Sequence, residues 1–250
     1  MGSGVSPVGD KSGKGKGKGK GNLPKAPIVL TDSEADSLKA QYESNFDAAT
    51  KKSVDKYISN TNFDGDGHSL SQTMNHIINE GGDLQTMSRE EVNSKFGLHL
   101  TKNEFEQLKR TDANLDAAMH PIGQDCILQR GCHAGEMVRN FGIQDYTKMS
   151  EKELQAALVG ATFQNSAVMS TSFNVGKNPF LGNGPAAGGR EIVYNIKAGA
   201  NTPMVWGAMN QTEAVLGKGI NWRVTGVHFT GKMAVPKSTM QKNTAVDDRN

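Results

Sequence analysis

The chain of 250 residues is poor in cysteine and in aromatic residues, and it has no long apolar run. Its two cysteines, Cys126 and Cys132, are too few for a disulfide framework or a cysteine-ligated zinc site. We therefore expect free thiols and a reducing compartment. No stretch reaches the roughly 18 apolar residues of a membrane span, and no apolar signal segment is visible near the N-terminus. These absences predict a protein without a membrane partner.

The positive charge is concentrated in residues 1–25. Six lysines and one aspartate give this segment a net charge of +5, so the rest of the chain carries −3 of the total of +2. A mildly acidic body argues against nucleic acid as a partner, because a nucleic-acid surface needs a basic face. Glycine and lysine alternate from Gly13 to Gly21, which predicts a disordered leader with nothing to bury.

Residues 26–120 carry the pattern of a helical segment. Apolar residues recur at helical spacing, and the stripes they form predict faces that pack on a following core. Three capping-box patterns mark expected helix starts, at Thr31–Glu34, Ser88–Glu91 and Thr101–Glu104.

Residues 121–236 contain many short strand candidates between Gly, Pro and Asn residues. The candidates lie at 125–130, 167–173, 191–197, 204–206, 212–216 and 222–229. Two helices are expected at 133–141 and 151–158, the second behind a capping box at Ser150. This order predicts an α+β protein whose core is a mixed β-sandwich. Residues 237–250 are polar and are expected to form a frayed tail.

A Gly-rich segment around Asp64, Asp66 and His68 has a weak likeness to a calcium loop. Such a loop needs glycine at its sixth position and glutamate at its twelfth. This sequence has Ser69 and Asn75 at those positions, so we interpret the segment as a turn. The histidines are scattered without an HExxH pattern, and we expect no metal site.

Three features stand in order along the second half of the chain: Arg130, the run Ser170-Thr171-Ser172, and Glu213. Taken singly, they are typical of a surface ion pair, an edge strand and a solvated carboxylate. Together they resemble the Arg–Ser-Thr-Ser–Glu class of bacterial mono-ADP-ribosyltransferase toxins, over roughly residues 125–230. The resemblance implies the β-sandwich of that class and NAD as its substrate.

The resemblance also implies a role for each site residue. Glu213 stabilises the oxocarbenium-like transition state formed when NAD is cleaved, and Ser170 fixes the Glu213 rotamer. Arg130 binds NAD phosphate oxygens, while the Gly131 backbone holds the nicotinamide amide. Further residues assigned to the NAD site are Thr171, Ser172 and Phe180, the last stacking on nicotinamide.

Gln211 lies two residues before Glu213, where arginine-modifying members of the class have glutamate. An amide is a poor base, so the resemblance implies an uncharged acceptor side chain: Thr, Gln or Asn. Rho-modifying exoenzymes share this glutamine. We expect Trp206 in an exposed loop that, with Gln211, recognises the target protein. A core tryptophan that closes the sandwich is the alternative.

The leader and the helical segment further resemble the C-terminal effector regions of insecticidal Tc toxins, the TccC components. This implies a monomeric effector that a toxin-complex shell delivers into the host cytoplasm without a signal peptide. Host actin is then the preferred acceptor, and Rho GTPases are the alternative. An NAD glycohydrolase and a non-catalytic binding domain on the same fold remain possible. Whether Arg130, Ser170 and Glu213 converge distinguishes the enzyme from the binding domain.

Overall fold

The computed structural model describes residues 28–43, 46–59, 61–132, 134–174, 190–206, 213–230 and 239–247. Within these residues, five helices precede one mixed sheet, and two further helices lie between its second and third strands. The helices are α1 (Asp32–Glu43), α2 (Ala48–Ile58), α3 (Leu70–Asn79), α4 (Arg89–Phe96), α5 (Lys102–Ala118), α6 (Ala134–Phe141) and α7 (Glu151–Leu158), with a 3-10 turn at Tyr146–Lys148. The strands are β1 (His120–Pro121), β2 (Cys126–Cys132), β3 (Thr162–Asn165), β4 (Met169–Ser172), β5 (Arg190–Ala198), β6 (Pro203–Trp206), β7 (Glu213–Leu216), β8 (Ile220–Thr230) and β9 (Thr239–Asp247).

Side-chain caps explain where several helices begin. Ser88, Thr101 and Ser150 each form the capping box that the sequence predicts, with a glutamate three residues later. Thr31 and Glu34 exchange the same bonds before α1. Each box satisfies two backbone N–H groups that the helix itself leaves unpaired. Ser69 and Gln72 form a further box that was not predicted.

The strands pair in the order β1-β6-β7-β4-β2-β5-β9-β8-β3. The pair Gln129↔Ser172 joins β2 to β4, and thereby links a β1-β6-β7-β4 block to a β2-β5-β9-β8-β3 block. The pairs are antiparallel except for β5 with β9, which run parallel. The predicted α+β class is confirmed.

The expectation of a frayed tail over 237–250 is wrong. Thr239–Asp247 forms β9, which lies between β5 and β8 and pairs with both. Its backbone groups are satisfied from two sides, and this stabilises a strand whose sequence lacks apolar alternation. The short strands β1 and β3 were also missed by the sequence analysis.

Helices α2 to α5 cover one face of the β6-β7-β4 part of the sheet. Their buried residues form one apolar cluster with Val168, Val205 and Val215. Alternate residues of the same strands, including Ala214 and Trp206, belong to a second cluster on the opposite face. This two-face division decides which site residues can meet, since successive side chains along a strand point to opposite faces. No described helix has the length and apolar character that crossing a bilayer requires.

Cys126 is a free thiol with no exposed surface. Burial, with a smaller contribution from the Asp125 charge, raises the pKa of this thiol to about 12. It is therefore an unreactive core residue. The side chain of Cys132 lies outside the described residues.

An ion-pair cluster ties the helical layer to the sheet. Lys218, in the turn between β7 and β8, contacts Asp112 Oδ1 and, at 2.9 Å, Asp116 Oδ2, both on α5. The Asp112 side chain is 5% exposed and also accepts a bond from Gln85 Nε2 at 3.2 Å. Although burial lowers the Lys218 pKa, bonds to the two aspartates raise it overall. The lysine therefore stays charged at neutral pH.

Replacing Lys218 by methionine is expected to destabilise the protein by up to about 3 kcal/mol, because it leaves the Asp112 carboxylate buried without its cation. Urea unfolding followed by circular dichroism measures the change. The control is Asp116→Asn, which removes a half-exposed partner and is expected to cost less than about 1 kcal/mol. Equal losses in the two variants would contradict this account.

Candidate active site

Three neighbouring strands, β7, β4 and β2, carry the residues that the sequence singled out. Ser172 lies opposite Glu213, and Ser170 lies opposite Val215. Because alternate residues of a strand share a face, Ser170, Ser172 and Glu213 point to the same side of the sheet. Arg130 reaches Ser170 from β2. The structure therefore brings Arg130, Ser170 and Glu213 together.

The Glu213 carboxylate is nearly buried, with 5% of the residue exposed. Burial raises the pKa of this carboxyl group, while a bond from the Ser170 side chain and the charge of Arg130 oppose the rise without cancelling it. An ionised Glu213 is therefore only partly compensated by its protein surroundings. Such a carboxylate is suited to stabilising a positive charge that develops on a substrate beside it.

Arg130 contacts both β4 and α6. Its Nη1 donates to the backbone oxygen of Ser170 at 2.8 Å, and its Nη2 donates to Glu136 Oε1 at 2.5 Å. Glu136 comes from α6 and is 9% exposed. These bonds hold β4 against β2 and orient the guanidinium. Its assignment to NAD phosphate binding stays a prediction.

Glu136 was missed by the sequence analysis. The sequence gives little indication of this ion pair. A glutamate six residues after an arginine can reach it only when the chain passes directly from β2 into α6. In the structure β2 ends at Cys132 and α6 begins at Ala134, and this order brings Arg130 and Glu136 together.

The Thr171 side chain does not face the site. Thr171 alternates with Ser170 and Ser172 along β4, and its Oγ1 donates to the Ala214 backbone oxygen at 2.7 Å. This bond spans the β4–β7 pair on the face opposite Ser170 and Glu213, and the assignment of Thr171 to the NAD site stays a prediction. Ser172 is on the correct face and is 1% exposed; its Oγ accepts from the Asn174 backbone N–H.

The expectation of an exposed Trp206 is also wrong. Trp206 ends β6, pairs with Ala214 and is 2% exposed. Its ring stacks on Phe173 at a centroid distance of 4.5 Å, on the face away from Glu213. Strand pairing and aromatic stacking make it the core tryptophan of the alternative interpretation. The argument for Trp206 as a target anchor depended on exposure and loses its support.

The remaining predicted residues are only partly described. Gly131 lies on β2 opposite Val193, next to Arg130, and its contact with nicotinamide stays a prediction. Phe180 and Gln211 lie outside the described residues, so their assigned roles also stay predictions.

A tyrosine beneath the site was not predicted. Tyr57 of α2 is 1% exposed, and its hydroxyl accepts a hydrogen bond from Asn75 Nδ2 of α3 at 3.1 Å. Burial raises the pKa of this phenol, and Asn75 and Ser170 oppose the rise. The sequence feature that could have indicated this buried hydroxyl is Asn75, a polar residue beside the apolar stripe of α3.

The Asp64, Asp66 and His68 side chains form a cluster of the kind that can hold a metal ion. The Asp64 carboxylate already accepts bonds from the His68 backbone N–H at 2.9 Å and from Thr73 Oγ1 at 2.7 Å. Although burial raises the Asp64 pKa, these bonds lower it overall. The geometry is that of a turn organised by one carboxylate ahead of α3.

Comparisons with known proteins agree with this architecture. A family model described as ADP-ribosyltransferase exoenzyme matches residues 68–249. C3stau2 from S. aureus, solved with NAD, is 12% identical with a TM-score of 0.58, over 90% of this chain and 100% of that one. The Clostridium limosum C3 exoenzyme is 14% identical with a TM-score of 0.55, over 90% and 96%.

A third similar structure is the enzymatic component C2-I of the Clostridium botulinum C2 toxin. It is 15% identical with a TM-score of 0.55, over 87% of this chain and 48% of that chain. At these identities the likeness establishes the fold. No curated protein matches the sequence.

The burial of Glu213 predicts a pH-dependent stability difference for Glu213→Gln. A carboxyl pKa above its ordinary value of 4.5 means that the folded state binds the proton more tightly than the unfolded state. Its stabilising contribution is complete at low pH and is lost as pH rises through the raised pKa. The uncharged variant is therefore expected to melt higher than the parent at neutral pH, with a difference that shrinks on acidification.

Melting temperatures of both proteins between about pH 4 and pH 8 measure this difference. Glu106→Gln, which changes an exposed residue of α5, is the control and is expected to show no such trend. A Glu213→Gln variant that melts below the parent at neutral pH would show that the charge is well compensated.

Proposed function

Since the chain belongs to the ADP-ribosyltransferase exoenzyme family and is an NAD-dependent ADP-ribosyltransferase, we propose that it is a mono-ADP-ribosyltransferase toxin with a host cytoskeletal target. The observation that carries the proposal is the proximity of Arg130, Ser170 and Glu213: Arg130 bonds to the Ser170 backbone oxygen, and both the Ser170 side chain and the Arg130 charge act on the Glu213 carboxyl group. Family membership disfavours a binding domain without activity.

Glu213 is proposed as the catalytic carboxylate. In the reaction, the bond between ribose C1′ and nicotinamide breaks and nicotinamide leaves with the electron pair. The acceptor atom then bonds to C1′ and loses its proton. Glu213 stabilises the positive charge that builds on the ribose between these events, because a buried carboxylate acts with little competition from water. No metal is needed for this step.

Ser170 and Arg130 are proposed to prepare Glu213 and the substrate. Ser170 bonds to Glu213 and keeps the carboxylate in one rotamer. Arg130 fixes the backbone of Ser170, and its charge favours the ionised form of Glu213. The planar guanidinium is also suited to the phosphate oxygens of NAD.

The acceptor is proposed to be an uncharged side chain: Thr, Gln or Asn. The support is Gln211, since an amide at this position orients a neutral group but removes no proton efficiently. The resemblance to Tc toxin effectors favours actin as the target protein. Rho GTPases are the second candidate, supported by the shared glutamine and by the likeness to two C3-type chains over nearly their whole length. Delivery as a monomer by a toxin-complex shell into the host cytoplasm belongs to the same proposal.

Replacing Glu213 by glutamine is expected to lower NAD cleavage by about 100- to 1,000-fold, because one preorganised electrostatic stabiliser is lost. Release of nicotinamide from purified protein measures the rate. Glu106→Gln, on the exposed side of α5, is the control and should retain the parent rate. Near-parental cleavage by a folded Glu213→Gln protein would refute the assignment.

Replacing Gln211 by alanine is expected to separate two activities. Hydrolysis of NAD without a target should persist, while transfer of labelled ADP-ribose to purified actin or to a Rho GTPase should be mostly lost. Gln211→Asn keeps the amide and should retain part of the transfer. If both activities fall together in the alanine variant, Gln211 belongs to the NAD pocket. If the unmodified protein hydrolyses NAD but labels neither actin, Rho nor any lysate protein, it is an NAD glycohydrolase.

A further inference from the structure

A histidine at the edge of the sheet is stacked on two aromatic rings. His120 begins β1, and the centroid of its ring lies 3.7 Å from that of Tyr42 in α1, with an angle of 11° between the two planes. The Phe46 ring, which lies just ahead of α2, has its centroid 6.3 Å from the same imidazole. We call these three side chains the aromatic clasp, since they join α1 and the start of α2 to the edge strand.

The Tyr42 hydroxyl adds hydrogen bonds to this stack. It donates to the backbone oxygens of Pro121 and Ile122, at 3.1 and 3.2 Å, and its one proton is shared between them. Gly123 follows with a φ of 88°, and a Cβ at this position would lie 3.2 Å from the Tyr42 oxygen. The glycine therefore leaves room for the hydroxyl, and the ring and the hydroxyl of one tyrosine both hold α1 on the sheet.

Helix α1 closes one end of the apolar core. Leu30, just ahead of the helix, and Ala35 within it are buried in the same cluster as Met204 and Trp206 of β6. The helix packs on β6, which is also the strand that pairs with β1. Separation of α1 would therefore uncover the core beside β6, so the clasp controls the closure of this end of the molecule.

The surroundings of the imidazole fit its neutral form. His120 Nδ1 lies 3.4 Å from the Pro121 backbone oxygen, so this nitrogen has an acceptor for the one proton of a neutral ring. Nε2 is buried and has no hydrogen-bond partner among the described residues. A second proton would have to reside on Nε2, as a buried N–H of a charged ring without an acceptor, and this is costly. The stack therefore accommodates imidazole better than imidazolium.

The charged groups on the elements around His120 are engaged with other partners. They are Lys39 and Glu43 of α1, paired with each other at 3.5 Å; Asp47, which caps α2 by accepting from the Thr50 N–H; and Asp116 of α5, which binds Lys218. The β6 segment Pro203–Trp206 has no ionisable side chain. The Tyr42 and Phe46 faces attract a cation. Burial nevertheless lowers the pKa of the imidazole below 6.5, and backbone hydrogen bonds oppose this fall without reversing it.

The sign of the pH dependence follows from this lowered pKa. The folded state binds the proton of His120 less tightly than the unfolded state does, so the contribution of His120 to stability is complete above 6.5 and is lost as pH falls through the lowered pKa. Carboxylates act elsewhere on the pH scale. The lowered pKa of Asp64 matters below its ordinary value of 3.8, and the raised pKa of Glu213 favours the folded state in acid. Mild acid therefore acts on the clasp before it acts on these carboxylates.

We propose that the aromatic clasp is an acid-sensitive device: protonation of His120 opens its stack with Tyr42 and releases α1 from the sheet, while the remaining helices stay packed. This goes beyond the proposed catalytic function and does not depend on it. In a mildly acidic compartment, α1 would be the first of these helices to separate.

Hydrogen exchange followed by mass spectrometry on the full chain tests the proposal. Exchange is measured at about pH 7.5 and about pH 5.5, on either side of the ordinary histidine pKa, and is corrected for its intrinsic pH dependence. Amides of α1 (Asp32–Glu43) are expected to lose protection at the lower pH, whereas those of α4 (Arg89–Phe96) should keep it. Unchanged or increased protection of α1 in acid would overturn the proposal, and so would an equal loss in both helices.

Variants assign the response to one imidazole. His120→Phe keeps an aromatic ring that does not titrate, so α1 should be equally protected at both pH values. His99→Gln is the matched control; the His99 side chain is 81% exposed, and this variant should respond as the parent does. Tyr42→Phe keeps the stack and removes the hydroxyl bonds, so it should lower protection of α1 at both pH values and retain the pH response. A His120→Phe protein that still loses α1 protection in acid, or a Tyr42→Phe protein without the pH response, would contradict the proposal.

Discussion

The burial of one carboxylate governs the arrangement of this molecule. Glu213 begins a strand in the middle of a sheet, on the face that helices α2 to α5 cover, and it is 5% exposed there. Burial favours its neutral form, and the Ser170 hydroxyl and the Arg130 guanidinium oppose that preference without reversing it. The site therefore keeps a carboxylate whose charge is incompletely compensated by the protein. This costs stability, and it is the property that the proposed catalytic role of Glu213 requires.

Arg130 connects this carboxylate to the architecture of the sheet. The pair Gln129↔Ser172 joins the two strand blocks, and the Arg130 side chain adds a bond across the same junction to the Ser170 carbonyl. Glu136, from the helix that follows β2, orients the guanidinium from the other side. Loosening the junction would therefore move Ser170 and the charge that acts on Glu213 at the same time. The Arg130 side chain therefore both joins β2 to β4 and supplies the positive charge that acts on Glu213.

Local rules predicted a large part of this structure. Capping boxes located α4, α5 and α7, and the motif order placed Arg130, Ser170 and Glu213 on strands that prove to be neighbours. The predictions that were wrong concern residues whose structure depends on pairing with distant parts of the chain. The polar segment of β9 becomes a strand because β5 and β8 both bond to it, and Trp206 is buried because β7 and Phe173 meet it. Neither partner is visible from the local sequence.

Tertiary packing also extends the region that covers Glu213 beyond the residues that match the family model. The family match starts at residue 68, so it includes Asn75 of α3 but not Tyr57 of α2. Yet Tyr57 of α2 is buried in the apolar cluster that covers the Glu213 face, and its hydroxyl is bonded to Asn75. A chain shortened to the family match would lose Val54 and Tyr57 from this cluster. The burial of the Glu213 face therefore depends in part on a helix that precedes the family match.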